Sequence, residues 1–212
     1  MGAEHLAPVI PVHHERAAGA NADHPMRRVT RQVAFEPDGW TPERKAKVAE
    51  LFDGLAPEWH TRETPGRYDA MYDALDRGGV PIAGSTLELG SGTGLSTPLL
   101  AERFGNLVAG DLSREMLRLA PADAAPRIQA DSSSLPFPDG ALSVVLAINM
   151  LLFPREMARV LAPEGVLVWV NTSGDRTPIH LPSDDVVRAL GEGWTGTASE
   201  AGTGTWCVAR RG

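Results

Sequence analysis

The sequence predicts an α/β fold: a Rossmann-like, seven-stranded, mostly parallel sheet with an antiparallel last strand and helices on both faces. Three observations carry this. From Thr86 onward, short apolar runs alternate with short helical patterns, the rhythm of βαβ units around a parallel sheet. A glycine-rich turn, Gly90-Ser91-Gly92-Thr93-Gly94, leaves the first of those runs and enters a helical pattern. That is where an open parallel sheet binds ligands, outside the carboxyl ends of its strands. Two late strand-like runs, 194–199 and 204–210, flank Gly202 and read as an antiparallel hairpin on the sheet edge.

Taken in order, residues 1–35 mix Ala, Pro, Gly and Arg with His5, His13, His14 and His24 and show no sustained period, so they read as a disordered or loosely docked arm. The His13-His14 pair lacks the acids or cysteines that would complete a metal site, and a solvated tail is the plainer reading. Residues 36–80 read as a helical lid. Its first helix spans 42–54, capped by Thr41, opened by Pro42 and stopped by Gly54, with Val48, Leu51, Phe52 and Leu55 on one face. A second runs from about Gly66 to Asp76, with Tyr68, Met71, Tyr72 and Leu75 inward. The core, residues 81–212, carries strands near 86–89, 107–110, 127–130, 142–148 and 165–170. Helices fall near 96–104, 113–119 and 154–161, and a further helix near 183–190 precedes the hairpin.

Composition narrows the function classes. The 212 residues suffice for one sizeable core. The formal net charge of -7 argues against a polyanion partner. The single cysteine, Cys207, precludes an intrachain disulfide and fits a reducing, cytoplasmic compartment. No apolar run approaches the roughly 18 residues a membrane span needs, and the N-terminus does not read as a signal peptide. No carboxylate cluster suggests a catalytic metal, and nothing in the sequence decides between a monomer and a homodimer.

The chemistry concentrates around the glycine turn. Asp111 ends the second strand, 21 residues beyond Gly90, where a carboxylate can accept from both hydroxyls of a ribose. It can equally cap the helix that follows, since Ser113 and Glu115 come next. The glycine spacing is G-x-G-x-G, with Leu95 where a dinucleotide site would carry its third glycine. Glu88, two residues before the first glycine, would repel a diphosphate but suits a cationic amino-acid end.

At these residues the chain resembles the class I S-adenosylmethionine-dependent methyltransferases. LELGSGTG (87–94) looks like that family's first motif and AGDLS (109–113) like its second. IQADSSSLPFPDGALSVVLAIN (128–149) looks like the stretch with the adenine-binding acid and the fourth strand, and MARVLAPEGVLVWV (157–170) like the helix, turn and fifth strand. LFDGLAPEWH (51–60) is similar to the small-molecule branch that includes ubiquinone/menaquinone-type enzymes. The resemblance implies S-adenosylmethionine as cofactor and a small organic molecule as methyl acceptor. It implies that Glu88, Gly90, Ser91, Gly92 and Gly94 surround the methionine part, that Asp111 takes the ribose, and that Leu112 and Met116 flank the adenine. Asp131 would accept from the adenine amino group beside Ser132, and Asn149 would face the sulfonium. For Leu112 and Met116 core packing competes with that role, and for Asp131 and Ser132 turn formation does. The chain departs from the family at Pro163-Glu164-Gly165, where many relatives have two glycines, and in the short segment after Asn149.

Methyl transfer is an in-line displacement in which the protein supplies alignment and a dry pocket. A general base, where one is used, has its first candidate in His60. Phe52, Trp59, Tyr68, Tyr72 and His180 are the candidate walls of the acceptor pocket, each with packing or surface exposure as its competing role. Asn149 is followed by Met150-Leu151-Leu152 rather than by the Pro-Pro-aromatic run of enzymes that methylate base amines. Two other classes stay open: an NAD-linked oxidoreductase, which the glycine spacing and the lack of a Tyr-x-x-x-Lys pair disfavour, and a non-catalytic methyltransferase-like binding protein.

Overall fold

A computed structural model describes residues 2–13 and 23–212. His14 therefore lies outside the described residues. Structure appears at both described ends of the expected arm. β1 (Ala3–His5) pairs parallel with an edge strand near the C-terminus, Ala3 opposite Gly196. Its start is pinned by Asp184, whose Oδ1 accepts the Ala3 N–H at 2.8 Å. Val12 makes an isolated bridge to Gly202. α1 (Pro25–Phe35) begins with Pro25 in its first turn, and His24 Nδ1 accepts the Met26 N–H at 3.2 Å. Met26, Val29 and Val33 recur at helical spacing and pack with Leu151, Phe153 and Ile179. The described parts of residues 1–35 are thus not a featureless arm. Backbone pairing to a sheet edge leaves no periodic mark on a three-residue strand, and basic residues interleave the apolar stripe of α1.

α2 (Pro42–Leu55) has the expected start: Thr41 Oγ1 accepts the Arg44 N–H at 3.2 Å. None of its residues is buried. A 3₁₀ turn over Ala56–Arg62 leads to α3 (Asp69–Arg77), which buries Met71, Ala74 and Leu75.

The core follows as β2 (Thr86–Leu89), α4 (Thr97–Ala101), β3 (Leu107–Asp111), α5 (Arg114–Leu119), β4 (Arg127–Gln129), β5 (Leu142–Ile148), α6 (Pro154–Val160), β6 (Leu161–Asn171), α7 (Ser183–Leu190), β7 (Trp194–Ala201) and β8 (Gly204–Arg211). The strand order is β1-β7-β8-β6-β5-β2-β3-β4. β8 runs antiparallel to both neighbours, and the other pairings are parallel. The sheet is the expected mostly parallel one with an antiparallel last strand, enlarged from seven strands to eight by β1.

The central strands are apolar on both sides because helices cover both faces. Val145, Ala147, Leu167 and Trp169 meet α6 and α7, while Val144, Leu146, Val166 and Val168 meet α3 and α4. One polar group crosses into the second layer. Asp73 is 3% exposed and accepts from Trp206 Nε1 at 2.7 Å and from Arg77 Nη1 at 2.9 Å. Asp73→Ala strands a buried indole N–H and should cost about 1–3 kcal/mol. Asp76→Ala, which removes an exposed partner of Arg103, should cost under about 0.5 kcal/mol. Urea unfolding of the two variants at constant slope measures the difference.

Candidate functional site

The chain runs outward from β2 through β3 to β4, then returns to place β5 on the other side of β2. That reversal opens a crevice at the carboxyl ends of β2 and β5, where open α/β sheets bind ligands. The glycine turn fills one side. Gly90 and Ser91 donate their N–H groups to the Gly110 carbonyl at 2.8 and 3.1 Å, which ties the turn to β3. Gly92 has φ +58, and a Cβ built there would lie 2.9 Å from Trp59 Nε1. The turn needs glycine twice over there, for the left-handed backbone and for the close approach.

Asp111 stands at the end of β3. Its Oδ2 accepts the Gly92 N–H at 2.8 Å and its Oδ1 accepts the Ser113 N–H at 2.8 Å. Burial raises its carboxyl above the ordinary value, against the three N–H groups of Ser113, Gly92 and Leu112 that favour the anion. Each oxygen keeps a lone pair for a ligand hydroxyl.

A cavity of about 450 Å³ opens from this crevice. The glycine turn, Leu112, Met116, Ser132 and Asn149 line its sheet side. Val48, Leu51, Phe52 and Leu55 of α2 line the opposite side, so the apolar face of that helix looks onto the cavity rather than into a packed core. Two contacts clamp α2 down. Asp53 Oδ1 accepts from the Ser113 hydroxyl and, at 3.2 Å, from the Glu115 N–H. At the other end, Trp40 Nε1 donates to Asp131 Oδ1 at 3.1 Å, and Lys45 Nζ lies 3.0 Å from Asp131 Oδ2.

These contacts place the expected site residues. Gly90, Ser91, Gly92, Asp111, Leu112, Met116, Ser132 and Asn149 come together on the cavity, as do Phe52, Trp59 and Tyr68. Glu88 does not reach it. The strand alternation turns Glu88 away from Leu87 and Leu89 and under α4, where it accepts from Thr97 Oγ1 at 2.6 Å and from Ser96 Oγ. Gly94 packs on Pro121 and Ala120 behind the turn. Asp131 sits just outside the lining. Burial works to raise its carboxyl, but the Ser133 N–H and hydroxyl together with Lys45 outweigh it and hold it below the usual range.

Three further expectations need correction. His60 is exposed and outside the cavity. A 3₁₀ turn repeats every three residues, so Ala56, Trp59 and Arg62 share the inward side and His60 falls out of phase. Tyr72 is 40% exposed, one position off the buried stripe of α3. His180 lines a separate cavity near β1. Arg27 Nη1 lies 2.9 Å from its Nδ1. A guanidinium has no acceptor, so Nδ1 accepts and the proton sits on Nε2. Burial, then Arg27, push the imidazole down to about 4.

The sequence reading missed Trp40, Arg62, Arg67, Arg176 and Ile179, all of which line the cavity. Trp40 packs edge-on against Phe153, ring centroids 5.3 Å apart. Arg62 stacks over Trp59 at 4.4 Å. Its place one 3₁₀ repeat after Trp59 is the signal that could have found it. Asn149, with φ +52, braces β5 to β6: its Nδ2 donates to Thr172 Oγ1 and its Oδ1 accepts the Thr172 N–H, both at 2.9 Å. Among the described residues, no group of three or more His, Cys, Asp or Glu is placed to hold a metal ion, and no helix is long and apolar enough to cross a membrane.

Residues 87–169 match the family model described as a methyltransferase domain. The demethylmenaquinone methyltransferase of Clavibacter sepedonicus is 30% identical over 152 residues, 64% of this chain and 62% of the relative. That of Corynebacterium urealyticum is 34% identical over 144 residues, 63% and 61% of the two chains. The chain thus spans about three fifths of the length of these curated relatives. Among solved structures, the DhpI–SAH complex superposes with a TM-score of 0.65 at 23% identity, covering 79% of this chain and 97% of that one. The [4+2]-cyclase SpnF superposes at 0.57 with 21% identity, covering 72% and 73%. Likeness at this identity establishes the shared fold alone.

Glu88 yields a test of the turn. It is 1% exposed, and burial pushes its carboxyl up to about 7, opposed by the Ser96 and Thr97 hydroxyls and reinforced by Asp111. The folded chain therefore holds a proton there that the unfolded chain releases near 4.5. Stability from this group is complete below 4.5 and falls as pH rises through about 7. Between about pH 5 and pH 8 the loss should be roughly 2–3 kcal/mol. Glu88→Gln should flatten that slope in urea unfolding at a series of pH values.

Proposed function

Residues 87–169 belong to the methyltransferase-domain family, and from that premise we propose that the chain binds S-adenosylmethionine and passes its methyl group to a small organic molecule. The observation that carries the reading is Asp111, which joins Gly92 to Ser113 at the mouth of an apolar cavity. The residues present fit the cofactor. Gly92 leaves bare backbone where a side chain would intrude, and Ser91 lines the cavity with a buried hydroxyl that no other described group satisfies.

When bound, the cofactor supplies an activated sulfonium methyl. Asp111 would accept from the ribose hydroxyls, Leu112 and Met116 would flank the adenine, and Ser132 would offer it a hydrogen bond. Asp131 would reach the adenine amino group only through a lone pair left free by Trp40 and Lys45. Glu88 and Gly94 act behind the turn by shaping it. The Asn149–Thr172 brace keeps the floor of the crevice rigid under the reacting atoms. The acceptor rests against Phe52, Trp59 and Tyr68, and closure by α2 excludes water.

The chain's own residues favour alignment over acid–base chemistry. Among the described residues, His24 is the one imidazole on the cavity, and its Nδ1 is taken by the Met26 N–H. The Tyr68 phenol is pushed above its ordinary value by burial, against the nearby Arg67 charge, so it is a poor base. The acceptor therefore brings a nucleophile that ionises easily or needs no deprotonation, and effective molarity supplies most of the rate.

The demethylmenaquinone methyltransferases are relatives of partial coverage, and they favour a ring-bearing acceptor for this apolar cavity. The proposal extends to motion: residues 36–80 form a lid, held by the Asp53–Ser113 and Trp40–Asp131 contacts.

Calorimetry should find one site per chain for S-adenosylhomocysteine, and Asp111→Ala should weaken it by about 1–3 kcal/mol. Binding of NADH in its place would overturn the reading. Label moved from S-methyl-labelled cofactor into the small-molecule fraction of a cell extract supports the substrate class, and label confined to protein or nucleic acid refutes it. Hydrogen exchange over residues 36–80 should slow on adding S-adenosylhomocysteine. Slowing confined to the core would remove the lid.

A further inference from the structure

The two carboxylates beside the crevice differ in what they have left to give. Asp111 lines the cavity, accepts from backbone N–H groups and keeps a lone pair on each oxygen for a ligand. Asp131 stands just behind the lining and is crowded. Its Oδ1 accepts the Ser133 N–H at 2.9 Å, the Ser133 hydroxyl at 2.8 Å and Trp40 Nε1 at 3.1 Å, and Lys45 Nζ lies 3.0 Å from its Oδ2. A carboxylate offers about four acceptor positions, and the donors of Ser133, Trp40 and Lys45 take them. Trp40, unlike Asp131, lines the cavity. The cavity side of the carboxylate is therefore the side the indole already holds.

The two donors from the cover segment belong to one elbow. Trp40 precedes α2, and Lys45 lies in its first turn. Beside Lys45, Arg44 donates through Nη2 to Gln32 Oε1 on α1 at 3.0 Å and through Nη1 to the Gly39 carbonyl. Trp40 also packs edge-on against Phe153, next to Val33 of α1. The turn between α1 and α2 is thus cross-linked within itself, and Asp131 is where it meets the sheet end.

We infer that Asp131 is a latch for the cover segment and that the cofactor's adenine is held without it, by Ser132, Leu112 and Met116. The inference rests on the cofactor reading above and narrows it. The family resemblance gives Asp131 the adenine amino group, and its partners oppose that role. Handing Asp131 to the base would leave the indole N–H without its acceptor and part Lys45 from its counter-charge. A neutral amino group would replace an ammonium, which is the stronger donor to a carboxylate. Ser132 suffices for the base edge, because a hydroxyl donates or accepts by rotating. Asp131 is then a positioning residue that acts on the cavity through Trp40.

The test sets cofactor recognition against cover motion. Calorimetry would compare S-adenosylhomocysteine with S-inosylhomocysteine, whose purine carries a 6-oxo group in place of the amino group. The ratio of the two affinities should stay within about twofold on Asp131→Ala. Hydrogen exchange over residues 40–50, measured without ligand, should speed at least about fivefold in Asp131→Ala and in Trp40→Phe. In ¹⁵N-labelled protein, the Trp40 indole N–H signal, identified by its loss in Trp40→Phe, should remain slow to exchange with solvent at saturating S-adenosylhomocysteine. A preference for the amino analogue that collapses in Asp131→Ala would return Asp131 to the adenine and overturn the inference. So would an indole N–H that S-adenosylhomocysteine releases to solvent, or tighter S-adenosylhomocysteine binding in Trp40→Phe. Unchanged exchange over residues 40–50 in both variants would remove the latch. If the unaltered protein binds no S-adenosylhomocysteine, the cofactor reading falls instead, and exchange in the ligand-free variants still decides the latch.

Discussion

One carboxylate, Asp111, organises the crevice. It sits where β3 ends, and its two oxygens reach in opposite directions, to the Gly92 N–H and to the Ser113 N–H. The first contact fixes the glycine turn after β2, and the second fixes the start of α5. Ser113 in turn donates to Asp53 on α2. A single side chain thus links the loop that would cradle a ligand, the helix that would flank it and the helix that covers it. The parallel sheet makes this possible by setting β2 and β3 in register, Leu89 opposite Gly110, so that their carboxyl ends emerge side by side.

Most of this frame was legible in the sequence because it is periodic. Alternating apolar runs and helices from Thr86 onward located every core strand, and glycine spacing with Asp111 located the crevice. What stayed hidden had no period to show. β1 joins the sheet through backbone pairing of three residues. The 3₁₀ turn of residues 56–62 eclipses Trp59 and Arg62 on the cavity side and leaves His60 outward. Asp131 reads as a free acid until Trp40 and Lys45, some ninety residues earlier, fold over it. Arg67 and Arg176 reach the cavity from loops, whose side-chain directions follow from tertiary packing.

The cavity divides its labour by chemistry. Its sheet side offers backbone amides, Asp111 and Ser132, the groups that recognise a polar nucleoside. Its opposite side offers α2 and two indoles, groups that recognise little beyond shape and dryness. Arg62 and Arg67 sit between, on the segment that joins α2 to α3, and Arg176 comes from the turn after β6. The fold of the sheet end is shared with the [4+2]-cyclase SpnF, so the fold by itself does not set a reaction class.

The unburied helix α2 has a thermodynamic consequence. Its apolar face meets an open cavity, so with nothing bound, Leu51, 46% exposed, and its neighbours leave surface in contact with water. Whatever fills the cavity removes that surface and adds its binding free energy to folding in proportion to the logarithm of its concentration. The melting temperature of this protein is then a property of the mixture it sits in. A cell that holds cofactor or acceptor in excess would also hold more of the chain folded, and scarcity of either would expose the cover segment first to proteolysis.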